Sequence, residues 1–376
     1  MGCSSSQPTQ APSSESPTAS GPALSFLYTS ETGGLALHRA REDATRTLVP
    51  NASFDGSRAA APSGKAVAFS YRTADSTHLA QFDLTDYTLR PLHSVDGAAT
   101  YSLAWHPSDG RLAFAYYTPA AEGTRGPGAV RIARPDGTTR SVGCSAAREV
   151  FAWLGDDALA TRNDDRFYVV AASDCATRTA ADARQMVNLR YAPDASRLAY
   201  LHREYTYDSG AGEYRPDSSL HLADPRAQSS TELFGDDRAV RHLRWSPDGA
   251  ELAFDVKASE AGPRQVASYI VAEDRTVFLT PPDATTAHQT HPRWSPSGSY
   301  LAFTLQGGGT ATAAVRVDGQ TRRLGPVDGA VWGWLDERSV VVPGPDSLRV
   351  QTLNGGTRYS HPAPGALIHA WSRDAL

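Results

Sequence analysis

The sequence predicts an all-β fold, an eight-bladed β-propeller of four-stranded antiparallel blades. Three observations predict it. A short turn motif recurs every 40 to 50 residues or so, an apolar strand follows each copy, and the last residues supply the strand that the first residues lack. Gly 31 and Pro 25 in a chain of 376 residues fit the same picture, since both residue types punctuate turns.

The clearest copies are Trp245-Ser246-Pro247-Asp248-Gly249 before Leu252-Ala253-Phe254, and Trp294-Ser295-Pro296-Ser297-Gly298 before Leu301-Ala302-Phe303. Degraded copies begin at Trp105, before Leu112-Ala113-Phe114, and at Tyr191, before Leu198-Ala199-Tyr200. Weaker ones begin at Ala60, Trp153 and Trp334. In the clearest copies, an aromatic closes one strand, Pro presets the turn, Asp or Ser caps it, and Gly takes a positive φ before the next strand. Two further strand-like segments follow, so each repeat reads as a four-stranded meander.

Marks at 60, 105, 153, 191, 245, 294 and 334 are joined by an eighth at Trp371, in Ile368-His369-Ala370-Trp371, after which the chain stops. Leu24-Ser25-Phe26-Leu27-Tyr28 reads as the second strand that always follows the motif. The two termini therefore complete one blade between them, which removes a free sheet edge. The count is eight, with seven as the fallback if the copy at 153 or 334 is not a blade. A single propeller domain is expected over 23–376.

Residues 1–22 carry one Cys, no aromatic and almost no charge, too little apolar surface to offset the entropy of ordering. Cys3, preceded by Gly and followed by a Ser/Pro/Thr tract, resembles the start of a mature bacterial lipoprotein, with Cys3 as the lipidated residue. The hydrophobic segment that precedes a lipobox does not stand in this sequence. Gly2 with Ser6 and Cys3 also fits a myristoylation and palmitoylation pattern, and a plain tail with an incidental Cys is the third reading. Either lipid reading implies membrane attachment through Cys3, an extracytoplasmic lipoprotein under the first.

The repeats resemble those of TolB-like, WD40-like bacterial propellers over residues 23–376. That resemblance implies a cell-envelope scaffold, without a cofactor, that binds a protein or envelope ligand on its top face. The same blades occur beside the hydrolase domain of oligopeptidases and in oligogalacturonate lyases. The first alternative lacks its machinery, since no G-x-S-x-G motif is present. The lyase alternative, a metal-dependent carbohydrate-active enzyme, would rest on His242, His288 and His291; however, where those enzymes place Gln, His and His, this chain has His288, His291 and Arg293, and Arg cannot ligate. No catalytic or metal-ligating residue is assigned. A third reading is a purely structural envelope scaffold.

A net charge of -5 argues against nucleic acid as a partner, and a monomer is expected. Candidate ligand contacts come from the first strands, which line the channel. Three residues before the mark stand Asn188, His242 and His291, and one before it stand Arg190, Arg244 and Arg293, a polar, cationic arc suited to an anion or carboxylate. Such arginines also serve a fold by stacking on the Trp or pairing with a turn Asp. Two long second-to-third-strand loops, 117–128 and 203–218, are expected on the same face. The second carries Tyr205, Tyr207, Glu213 and Tyr214 as candidate partner contacts. Cys144 and Cys175 fall in adjacent blades; the strand count puts them near opposite faces and leaves their pairing open.

Overall fold

In the computed structural model, the described residues are 23–372 apart from 31–32, 120–124, 145–146, 164–165, 183–184, 209–212, 225–228, 236–238, 258–261, 280–286, 308–309, 318–319, 324–329, 345–346 and 363–364. Residues 1–22, which the sequence suggests as a tether, lie outside them together with Cys3. Among the described residues, thirty-two strands, β1–β32 in chain order, form eight four-stranded antiparallel sheets. Seven blades run in sequence over 53–96, 100–141, 149–182, 186–234, 241–278, 288–323 and 333–361 (blades 1 to 7). The eighth joins 24–50 to the last strand.

That closure follows the expected design. β1 (Leu24–Thr29) pairs with β32 (Leu367–Ser372), from Leu24 opposite Ser372 to Tyr28 opposite Leu367. Just before β32, Gly365 takes φ +151°, and a Cβ there would lie 1.8 Å from the Thr29 carbonyl oxygen. Only glycine lets the two termini approach so closely.

Each mark lies at or near the end of an innermost strand, and the turn after it behaves as its chemistry dictates. In the copy at Trp245, the Gly249 N–H donates to the Ser246 carbonyl (3.0 Å), Ser246 Oγ donates to Asp248 Oδ1 (2.6 Å), and Gly249 has φ +72°. The copy at Tyr191 has no glycine, and Ala195 takes the left-handed position at φ +56°.

The following strands are buried on both faces because blades stack on either side. Phe69, Phe114, Phe254 and Phe303, with Phe26 in the shared blade, are fully buried. Each such ring contributes about 1.5–3 kcal/mol of burial. Neighbouring blades are further joined by the marked tryptophans. The indole N–H of Trp105, Trp153, Trp245, Trp294 and Trp334 donates to the carbonyl of Ala59, Ala104, Arg190, Arg244 and Arg293, respectively, at 2.8–3.1 Å. The recurring Trp is thus an inter-blade tie as well as a strand end.

Two sequence expectations change. Segments 117–128 and 203–218 are strand extensions more than loops: β17 (Leu198–Asp208) and β18 (Glu213–Asp224) pair residue for residue out to Asp208 opposite Glu213. Likewise, β9 (Leu112–Pro119) and β10 (Arg125–Ala133) stay paired out to Pro119 opposite Arg125. Cys144 and Cys175, in turn, lie together as a disulfide, with Cα atoms 5.3 Å apart. The strand count misplaced Cys144 because β11 (Thr139–Ser141) has only three residues, so Cys144 stays low on the blade. Arg140 binds the same turn that carries Cys175, donating to Ala172 O (2.7 Å) and Ser173 O (3.2 Å). Among the described residues, no helix is long and apolar enough to cross a membrane.

Candidate functional site

The channel-facing arginines are aimed by a repeated backbone device. The innermost strands of blades 4, 5 and 6 are β16 (Met186–Tyr191), β20 (Arg241–Trp245) and β24 (His288–Trp294). Each breaks register just before its arginine: between Val187 and Arg190, Arg241 and Arg244, and Thr290 and Arg293. The bulged corner is Asn188 (φ +56°), His242 (φ +53°) or His291 (φ +58°), each left-handed. These are β-bulges, which turn the next side chains to a new heading.

The sequence missed a fourth member. In blade 1, β4 (Ser53–Ala60) bulges at Gly56 (φ +101°), and Arg58 follows two residues later, the same offset as in the other three blades. Here three residues, 55–57, stand opposite Ser70 between the pairs Phe54–Tyr71 and Arg58–Phe69, against two opposite one in blade 6. This bulge also closes one pair farther from the mark, opposite Phe69 where the other three arginines face Ala199, Ala253 and Ala302, so Arg58 stands two places before the mark and counting back one place finds Ala59 instead. A left-handed residue two before an arginine would have been the better signal.

The four guanidinium groups press on one another. Burial and then Arg293, Arg190 and Arg58 lower the Arg244 pKa to about 9; burial and then Arg293 lower that of Arg58 to about 10. Arg293 and Arg190 are lowered as well, chiefly by burial. All four stay protonated at neutral pH. Arg58 and Arg190 are nevertheless open to solvent, as side chains lining a channel are.

Each guanidinium is anchored on main chain. Arg190, Arg244 and Arg293 donate from Nη1 to the preceding carbonyl, at 2.7, 2.8 and 3.1 Å. Arg293 Nε also donates to Trp332 O (3.2 Å). Arg58 donates to Leu367 O (3.1 Å) and Ile368 O (2.9 Å), and lies over the Trp332 ring at 4.3 Å. The stacking and turn pairing expected of a structural arginine are absent for Arg190, Arg244 and Arg293 among the described residues. None of the four has a carboxylate within 4.0 Å there.

Beside this arc, the His242 and His291 rings lie 3.9 Å apart. His242 Nδ1 donates to Asp255 Oδ2 (2.5 Å), and Arg264 Nε donates to Asp255 Oδ1 (2.5 Å). Burial opposes the Asp255 charge, but these two partners outweigh it and hold the carboxyl below its usual range. The His291 pKa is lowered by burial and then by His242. His288 stands apart, its Nδ1 accepting the Arg264 backbone N–H (3.1 Å).

Of the candidate partner contacts, Tyr205 and Tyr207 are 63% and 55% exposed on the projecting hairpin. The side chains of Glu213 and Tyr214 lie outside the described residues. The hairpin rises past the leading end of β16, where Met186 pairs with His202, so it stands on the face where the channel strands begin.

No family model matches the chain, and no curated protein aligns with it. Solved propellers do. A eukaryotic initiation factor superposes with TM-score 0.56 at 14% identity, over 92% of this chain and 97% of that one. The fold is that of a β-propeller. The propeller domain of the trilobed protease from Pyrococcus furiosus gives 0.51 at 12% identity over 81% and 93%, and an oligogalacturonate lyase in complex with manganese gives 0.50 at 14% over 75% and 82%. At such identities the propeller likeness concerns fold alone; it does not extend to TolB identity.

Proposed function

We propose that this propeller is a non-enzymatic, extracytoplasmic binding protein, tethered through a lipid on Cys3, which receives a protein or envelope ligand on the face that bears the β17–β18 hairpin. The observation that carries this reading is the hairpin itself. It projects beyond the ring and presents Tyr205 and Tyr207 to solvent, although an isolated ring has no use for exposed aromatics there.

The lyase alternative fits the residues poorly. Among the described residues, no three His, Cys, Asp or Glu side chains gather as a cation site. His242 is bound to Asp255, His288 to the Arg264 backbone, and the third position is Arg293. A divalent cation beside His291 would also sit against the Arg293 and Arg244 charges.

A photo-crosslinking residue placed at position 205 tests the reading in envelope preparations. A discrete adduct from 205 and none from position 248, on the opposite, turn-bearing face, is the expected result. Equal labelling from both positions, or none from 205, contradicts it.

A further inference from the structure

We propose that Arg58, Arg190, Arg244 and Arg293 form a site in the channel for one compact oxyanion carrying at least two charges, of the phosphate or sulfate class. The site goes beyond the partner reading above and does not depend on the hairpin.

Four guanidinium groups converge in a chain whose net charge is -5, so the cluster is no part of a generally basic surface. Among the described residues none is paired with a carboxylate, and the nearby Asp255 already serves His242 and Arg264. Like charges held together and partly desolvated oppose folding. An anion removes that cost, and no carboxylate among the described residues does so.

Geometry supplies the rest. Backbone carbonyls fix one edge of each guanidinium, at Nη1, and N–H groups remain for a ligand. Donors held in place before binding lose little freedom on binding. Arg293 and Arg58 meet at Trp332, one on its carbonyl and one over its ring, and Arg190, Arg244 and Arg293 follow the same bulge in three successive blades, so the charges address one centre and suit a compact dianion better than an extended chain of single charges. The fork of a guanidinium matches the oxygens of such a group.

Thermal unfolding at constant ionic strength tests the site, with inorganic phosphate, sulfate, acetate, malonate and phenyl phosphate as probes. Phosphate and sulfate should raise Tm by several degrees, and acetate should not. Arg244→Gln should weaken the phosphate response at least tenfold and, by relieving repulsion, should not lower Tm in anion-free buffer. Arg190→Gln serves if that variant does not fold. Arg275→Gln, on the exposed surface beside Glu273, should leave the response intact. A stronger response to phenyl phosphate than to phosphate assigns the ligand to phosphate monoesters, and a weaker one to the free anion. A response to malonate equal to that to phosphate, no response to phosphate, or an unchanged response in both arginine variants overturns the proposal. Removing residues 203–218 should spare the phosphate response, which separates this site from the hairpin reading.

Discussion

Ala195 holds a left-handed backbone at φ +56° where the intact turn copies have glycine. An L side chain in that region costs about 1 kcal/mol. Ala195→Gly should therefore stabilise the protein by about 0.5–1 kcal/mol, offset in part by the greater freedom of glycine in the unfolded chain; denaturant unfolding measures it. Buried imidazoles set the acid limit in a similar, local way. His38, His93 and His369 are each lowered by burial to about 4 from 6.5. They are neutral in the fold between those values, while the unfolded chain takes up protons there. The unfolded state thus binds more protons, and stability should fall as pH drops from about 6.5 toward 4, by on the order of 1–2 kcal/mol per histidine. Thermal unfolding across that window checks the sign, and His369→Phe should flatten the slope.

At the scale of the element, the innermost strand does two jobs. Its marked Trp ties one blade to the next, and its bulge aims an arginine into the channel. Loss of one tie, as in Trp294→Phe, removes the bond to Arg244 O and leaves that acceptor without its partner, at a cost of about 1–2 kcal/mol. The tie also fixes the backbone of the very residue that carries the charge, so this variant should weaken phosphate binding as well as stability. Of this element, the turn and the strand were legible in the sequence, because Pro, Asp and Gly act over four or five adjacent residues. Arg58 was hidden because its bulge closes one pair farther from the mark than those of blades 4 to 6. Pairing of Cys144 with Cys175 was obscured for a related reason: a strand of three residues cannot be told from one of five or six by counting.

For the whole molecule, closure depends on the two termini meeting in one sheet. Gly365→Ala would drive a Cβ into the Thr29 carbonyl at that seam, and should destabilise the ring by at least about 2 kcal/mol, read as a lowered Tm. The eight-blade count and the shared blade were legible because the motif recurs and the last copy stops short. Whether the arginines have counter-charges was not legible, since an arc of arginines on a sequence does not say whether acids answer them. In three dimensions no carboxylate does, among the described residues, and that imbalance at the centre of the ring is the core of this account. Calorimetric titration of the folded chain with inorganic phosphate tests it most directly. One site per chain, lost in Arg244→Gln and retained when residues 203–218 are removed, is the predicted result; many weak sites, or the same heat in the Arg244→Gln variant, would contradict it.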